Sequence, residues 1–256
     1  MLLICKDSRK SVSSMSIEEL IKRFLHESFN SKYVYIISPW ITSFELDSRF
    51  IHYFYVSSNN VIDVLKALTN SGIDVKVVTR CLDDSMDVQL IRILTNIVQR
   101  ERDTELNDDI KAFFRDRINE FLDRAIALVS LADDLRDSLR FDLGANDELF
   151  PWYRLHTKLY VNERSIIMGS ANFTRGGILD GGNWECVIHF TKDENTNLYN
   201  EALRVAQHYL SISKGFEDCE RRVVRIINEF GGVINEPVYS IEDLIEYLGR
   251  VRDSLY

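Results

Sequence analysis

Residues 156–172 have the sequence HTKLYVNERSIIMGSAN, in which polar side chains interrupt two short apolar runs. We predict a strand from Thr157 to Val161 and a second strand from Ser165 to Met168, joined by a tight turn. His156 and Lys158 are two residues apart on an extended segment, so their side chains project from the same face. That face carries an imidazole beside an ammonium, an arrangement that indicates a functional site rather than a core.

The second predicted strand leads directly into Gly169-Ser170-Ala171-Asn172. Glycine permits a tight backbone path close to a ligand. Ser170 and Asn172 supply a hydroxyl and an amide, both of which can bind phosphate oxygens. A hairpin would return these groups beside His156 and Lys158, so the segment predicts a phosphate-binding site with one nucleophile.

The segments around this hairpin indicate an α/β fold. We predict helices at 16–29 and 60–70, the second closed by Gly72, and strands at 33–38, 75–79 and 185–190. The order strand, helix, strand indicates a βαβ unit, and continuous β-branched runs are typical of buried parallel strands. The expected fold is therefore a mixed, mostly parallel sheet flanked by helices.

Two further regions are predicted to be helical. Residues from about 85 to 140 contain no proline or glycine and repeat apolar side chains at helical spacing, which predicts an insertion of two or three amphipathic helices. The insertion could be a dimerisation arm, a substrate lid or a cover for the sheet. We expect one α/β domain over 1–192 that carries this insertion, and a C-terminal helical segment over 193–256 packed on the same domain.

Composition limits the classes of protein to be considered. A net charge of −9 and a pI near 5.1 argue against a surface that is basic throughout, but allow a local basic cleft. The four cysteines are widely spaced and form no CxxC pair, so we expect free thiols in a reducing compartment. No stretch approaches the roughly 18 apolar residues of a membrane span. We expect a cytoplasmic protein with no stable membrane association.

The order of the motifs resembles the HKD signature of the phospholipase D superfamily. The H-x-K of His156 and Lys158 precedes G-S-x-N, and Asn183-Trp184-Glu185 follows. The resemblance implies a phospholipase D-like fold and phosphodiester cleavage or transfer without a metal or cofactor. It implies that His156 is a nucleophile forming a phosphohistidine, that Lys158 and Asn172 bind non-bridging oxygens with help from Ser170, and that Glu185 orients the imidazole.

Two features qualify the resemblance. In the family, an aspartate follows H-x-K after four further residues, and six residues then precede G-S. In this chain Glu163 takes the aspartate position, with only five residues before G-S. Alternatively, Asn162 takes that position and keeps the six-residue spacing. The family also needs two motifs in one site, and this chain has one. The resemblance therefore implies a homodimer in which His156 of a second subunit completes the site.

Three other residues are candidates for substrate binding. Arg175 follows the motif asparagine closely, Arg80 ends a predicted strand, and Trp40 lies beside the first predicted strand. Strand ends are common ligand sites in α/β sheets. A solvated loop arginine and a core tryptophan are the alternative interpretations. The histidines show no zinc-ligand spacing, so no metal site is predicted.

Three functions are compatible with these features. The first is a DNA or RNA nuclease, which the single motif favours. The second is a lipid phosphodiesterase or phosphatidyl transferase. The third is a non-catalytic nucleic-acid-binding subunit of a defence or repair system. A helicase or a defence-system partner could deliver a nucleic-acid substrate to such a protein.

Overall fold

The computed structural model describes residues 1–6, 15–47, 58–82, 108–144, 154–230 and 237–254. The strands are β1 (Leu2–Lys6), β2 (Tyr33–Ile37), β3 (Asp74–Arg80), β4 (Leu139–Asp142), β5 (Leu159–Asn162), β6 (Ser165–Gly169) and β7 (Glu185–Thr191). The helices are α1 (Ile17–Ser28), α2 (Val61–Asn70), α3 (Asp108–Leu135), α4 (Arg175–Ile178), α5 (Thr196–Ile212), α6 (Phe216–Phe230) and α7 (Ile241–Asp253). None of the helices within these ranges has the length and apolarity that a membrane span requires.

All seven strands form one mixed sheet in the order β1-β7-β6-β5-β2-β3-β4. Strands β2, β3 and β4 are parallel neighbours, and every other neighbouring pair is antiparallel. Consequently five strands run in one direction, namely β1, β6, β2, β3 and β4. The other two, β5 and β7, run in the opposite direction. The predicted mixed sheet flanked by helices is confirmed. The expectation of a mostly parallel sheet is wrong for the pairing, since only two of the six neighbouring pairs are parallel and both lie at the end that contains β4.

The βαβ unit follows the sequence signals closely. Asn60 caps α2, since its side chain accepts a hydrogen bond from the Ile62 amide at 2.9 Å. The apolar face of the helix is buried, and after it Gly72 adopts a φ of 84°, a conformation that costs glycine little. Strands β2 and β3 then pair in parallel, as predicted.

Helices cover both faces of the antiparallel half of the sheet. On one face, Leu159 and Val161 of β5 belong to a core cluster with Tyr199 and Ala202 of α5. On the opposite face, the buried side chain of Asn162 reaches α1, where its Nδ2 donates to the Phe24 carbonyl oxygen at 3.3 Å. The end of β5 is therefore enclosed on both sides.

The chain divides into two compact units. The first contains the whole sheet and comprises residues 1–80, 133–142 and 155–213, whereas the second comprises residues 81–132, 143–154 and 214–256. Helix α5 therefore belongs with the sheet, and α6 and α7 belong to the second unit.

The described part of the predicted insertion is one 28-residue helix, α3, rather than several helices. The helix is followed by β4, so the prediction of helix up to residue 140 is wrong at its end. Strand β4 is short, and its partner in the sheet is β3, which local spacing does not reveal. Residues 85–107 of the predicted insertion lie outside the described residues.

The cysteines are paired, so the prediction of free thiols is wrong. Cys5 and Cys186 lie directly opposite each other on β1 and β7 and form a disulfide. Cys81 and Cys219 form a second disulfide within the other unit. The paired cysteines are 181 and 138 residues apart in sequence, which is why their spacing gives no signal.

Candidate active site

His156 and Lys158 lie immediately before β5, which begins at Leu159, two residues later than predicted. The hairpin pairing nevertheless continues past the end of the strand, because the Gly169 amide donates to the Lys158 carbonyl oxygen at 3.3 Å. Nζ of Lys158 lies 2.7 Å from Nδ1 of His156 and 2.8 Å from its carbonyl oxygen. The ammonium is buried, whereas the imidazole is exposed to solvent.

The electrostatic environment lowers the pKa of both groups. Desolvation lowers the pKa of His156, and the positive charges of Lys158 and Arg80 lower it further. Burial lowers the pKa of Lys158, as does Arg80, while Glu185 acts in the opposite direction. A lowered pKa keeps His156 neutral at neutral pH, which is the form in which an imidazole can act as a nucleophile.

The G-S-A-N turn is fixed against β7 by contacts of its backbone and side chains. A Cβ atom at Gly169 would lie 2.2 Å from the Cys186 carbonyl oxygen, so only glycine fits there. Ser170 donates its amide to the same carbonyl at 2.9 Å, and its Oγ accepts from the Cys186 amide at 3.0 Å. The Ser170 hydroxyl also donates to the carboxylate of Glu185.

Glu185 is a buried carboxylate at the start of β7. The resemblance implies a hydrogen bond from this carboxylate to the imidazole. In the structure, Glu185 accepts from Ser170, while Nδ1 of His156 faces Lys158. Its role in orienting His156 therefore stays a prediction.

Asn172 is partly buried, and its backbone is tightly packed. A Cβ atom at Gly177 would lie 2.1 Å from the Asn172 carbonyl oxygen, so α4 packs directly on this residue. Within the described residues, Oδ1 of Asn172 is buried and has no hydrogen-bond donor. A buried acceptor without a donor is costly, so a donor entering the site would be favoured there.

Two of the three predicted substrate-binding residues lie beside the motif. Nε of Arg80 donates to the carbonyl oxygen of Leu155, the residue before His156, at 2.6 Å. Its guanidinium lies 4.7 Å from the ring centroid of Trp40, which is 41% exposed. Arg175 begins α4 with an exposed side chain, and no described contact brings its guanidinium to His156.

The structure distinguishes Asn162 from Glu163 at the altered turn. Asn162 is fully buried, and its Oδ1 accepts from the amides of Arg164 and Ser165 at 2.9 and 2.8 Å. The carboxylate of Glu163 instead accepts from the Lys32 amide at 3.0 Å. Asn162 therefore organises the turn that sets the register of the hairpin.

Lys6 is a buried residue close to the candidate site that sequence reasoning does not identify. It lies on β1 directly opposite Glu185 of β7 and is 3% exposed. The sequence offers one signal: Lys6 follows the apolar run LLIC and is two residues after Ile4, so on a strand the two side chains would share a face.

Comparison with known families agrees with the motif. The family model described as "Cardiolipin synthase, PLD-like domain" matches residues 41–207. The chain therefore belongs to the phospholipase D-like family. The match confirms the predicted resemblance, and Lys6 lies outside the matched residues.

Two solved structures are similar to this chain at low identity. NucT from Helicobacter pylori is 13% identical with a TM-score of 0.44, over 78% of this chain and 92% of that chain. The phospholipase D family member Nuc from Salmonella typhimurium is 15% identical with a TM-score of 0.41, over 77% of this chain and 90% of that chain. A comparison with curated proteins finds no match.

Proposed function

We propose that this protein is a metal-independent phosphodiesterase, specifically a nuclease, in which His156 is the nucleophile. The observation that carries the proposal is the 2.7 Å contact between Lys158 Nζ and His156 Nδ1, because it couples a phosphate-binding cation to a neutral imidazole. The lowered pKa of His156 supports the same assignment.

Substrate binding would exchange the partners of these groups. An ammonium that donates to Nδ1 leaves the proton of the neutral ring on Nε2. A phosphodiester would draw Lys158 to a non-bridging oxygen and release Nδ1. The ring proton could then move to Nδ1, and Nε2 would present its lone pair to phosphorus.

The reaction would proceed in two displacements. The His156 nitrogen attacks phosphorus, a P–N bond forms, and the bond to the leaving oxygen breaks as that oxygen takes a proton from a second histidine. Water then attacks the phosphohistidine, giving its proton to the second histidine, and the P–N bond breaks. Lys158 and Asn172 would stabilise the charge on the non-bridging oxygens in both steps.

The second histidine would be His156 of another copy of this chain. The sequence has one H-x-K motif, and an acid and a nucleophile are both needed. An isologous dimer places the same residue twice across a two-fold axis. Activity would therefore depend on a homodimer.

Nucleic acid is the substrate class that the surroundings of the motif favour. Arg80 and Trp40 together present a cation and a partly exposed aromatic surface beside His156. Trp184, next to Glu185, is 76% exposed, and Arg175 is also exposed. Stacking on aromatic rings and contact of cations with phosphates are the common modes of binding to nucleic-acid strands. The net charge of −9 favours a narrow cleft, or delivery by a helicase or defence-system partner, over broad duplex binding.

The test is cleavage of labelled single- and double-stranded DNA and RNA in excess EDTA. We expect wild type to cut at least one of them, and His156→Ala to be inactive. His208→Ala, which removes an exposed histidine of α5, is the matched control and should retain activity. Trapping an acid-labile phosphate adduct on His156 would support the mechanism. Binding without cleavage by wild type, or hydrolysis of phospholipid vesicles alone, would overturn the nuclease assignment.

A further inference from the structure

Lys6 is a buried cation on the edge strand β1. Its Nζ donates to the carbonyl oxygen of Gly176 at 3.0 Å and also to the carbonyl oxygen of Leu179. Both carbonyls belong to α4 and its C-terminal cap, which follow the motif asparagine in sequence. Residues directly opposite in antiparallel strands project to the same face, so Lys6 and Glu185 share one face of the sheet.

The segment that Lys6 binds is itself in direct contact with the site. Gly177 packs on the backbone of Asn172 so closely that no Cβ atom fits between them. The Gly176 carbonyl oxygen also accepts from the Asn183 amide at 2.9 Å, two residues before Glu185. The Gly176 carbonyl oxygen therefore links Lys6 to the segment that packs on Asn172 and to the segment that leads into Glu185.

The surroundings of Lys6 restrict its movement. Burial lowers its pKa, while the charges of Asp180, Glu185 and Glu18 act in the opposite direction. The preceding residue, Cys5, is joined by a disulfide to Cys186, the residue after Glu185. A buried lysine on a strand tied covalently to its neighbour is a fixed donor.

We propose that Lys6 is a positioning residue that, through α4, sets the placement of Asn172 and Glu185. It donates to the carbonyls of Gly176 and Leu179 from the neighbouring strand, and it does not contact the substrate. This role rests on the proposed function for its effect on turnover, but its effect on the local structure can be measured separately. Lys6→Met removes the charged donor and keeps most of the stem. Lys6→Arg restores a donor, and Ile4→Ala removes buried side-chain volume from the same strand without removing a hydrogen bond.

The first measurement is hydrogen exchange of backbone amides in the full-length oxidised protein. In Lys6→Met we expect faster exchange at Ile178, Leu179 and Asn183 than in wild type, with the β5–β6 hairpin unchanged. Ile4→Ala is measured at the same interval below its own melting temperature. It should not selectively speed the hydrogen exchange of these three amides. Equal exchange in Lys6→Met and Ile4→Ala would overturn the proposal.

The second measurement is hydrolysis of bis(4-nitrophenyl) phosphate in EDTA. Because misplacement of a reacting group by about an ångström can slow a reaction up to about 100-fold, we expect kcat to fall on the order of 10-fold in Lys6→Met with a smaller change in KM. Lys6→Arg should recover part of the loss. A kcat in Lys6→Met equal to that of Ile4→Ala would overturn the effect on turnover. If wild type is inactive on every phosphodiester, the proposed function fails, and hydrogen exchange still decides the structural role of Lys6.

Discussion

Asn162 and Ser165 are joined at the turn of the β5–β6 hairpin, where Oδ1 of Asn162 accepts from the Ser165 amide at 2.8 Å. Oδ1 also accepts from the Arg164 amide, and the same side chain donates to Ser28 Oγ of α1 at 3.1 Å. The fully buried amide therefore connects the turn to the helix that covers it. Glu163, although acidic, takes no part in this network and pairs with Lys32 nearer the surface.

The first prediction follows from this difference. Asn162→Ala should lower the free energy of unfolding by about 2 kcal/mol, because it leaves buried partners without hydrogen bonds. Glu163→Ala should change it by less, about 1 kcal/mol at most, since it loses one hydrogen bond from the Lys32 amide and an ion pair in which Lys32 is largely exposed. Urea denaturation of the two variants measures both effects. A larger loss in Glu163→Ala than in Asn162→Ala would contradict the assignment of the turn.

The second prediction concerns the pH dependence of kcat/KM. Because the pKa of His156 lies below its ordinary value of 6.5, the copy proposed as nucleophile should remain unprotonated as pH falls through that value, and the acid limb of the profile should lie below it. Deprotonation of the second histidine, the proposed acid, should set a separate alkaline limb. Arg80→Met removes one of the positive charges that lower this pKa. The acid limb of the kcat/KM profile of Arg80→Met should therefore lie at higher pH than that of wild type.

The pH profile has a matched control in Arg140→Met. Arg140 lies on β4 and donates to the Ser213 carbonyl oxygen, and it is not among the groups that shift the pKa of His156. Its acid limb should coincide with that of wild type. An acid limb that stays in place in Arg80→Met would show that Arg80 does not influence the nucleophile.

The third prediction tests whether the site is shared between two copies. Wild-type protein and His156→Ala are mixed under conditions that allow subunits to exchange. If each site needs His156 from both copies, activity should follow the square of the wild-type fraction, because mixed dimers are inactive. A linear dependence would mean that a single copy carries out the reaction.

The fourth prediction concerns the disulfides. The oxidised protein, unfolded without reductant, should show no reactive thiols, and reduction should release those of all four cysteines. Removing either disulfide by paired Cys→Ser substitution should lower stability by about 2–4 kcal/mol, since each closes a long loop. Reactive thiols in the unfolded, unreduced protein would restore the free-thiol interpretation.

The sequence predicts the parts of the fold that depend on neighbouring residues. Helix α2, its cap at Asn60 and the turn at Gly72 follow from local spacing, as does the hairpin that carries Lys158 and Ser170. Local signals are sufficient in these cases because the contacts that stabilise each element lie within it or next to it.

The features that sequence reasoning does not reveal depend on distant partners. Strand β1 pairs with β7, and β4 pairs with β3, from which it is separated in sequence by α3. The same is true of the cysteine pairs and of Lys6, whose hydrogen-bond partners are more than a hundred residues away. The partner of Glu185 is a further example at shorter range, because the motif implies the imidazole and the fold places Ser170, 15 residues away, beside the carboxylate. No pattern within a short window encodes these contacts.

The position of β1 at the edge of the sheet has a consequence for the order of assembly during translation. Strand β1 is synthesised before β7, its neighbour in the sheet, and residues 7–184 separate the two in the sequence. Contacts between such distant segments form late, because a long loop must close before they contribute. Lys6 and Cys5 can therefore meet Glu185 and Cys186 only after those two residues have been synthesised. A ribosome-bound chain arrested before β7 would carry His156 and Lys158 without Glu185, so these three residues could come together only after β7 has been synthesised.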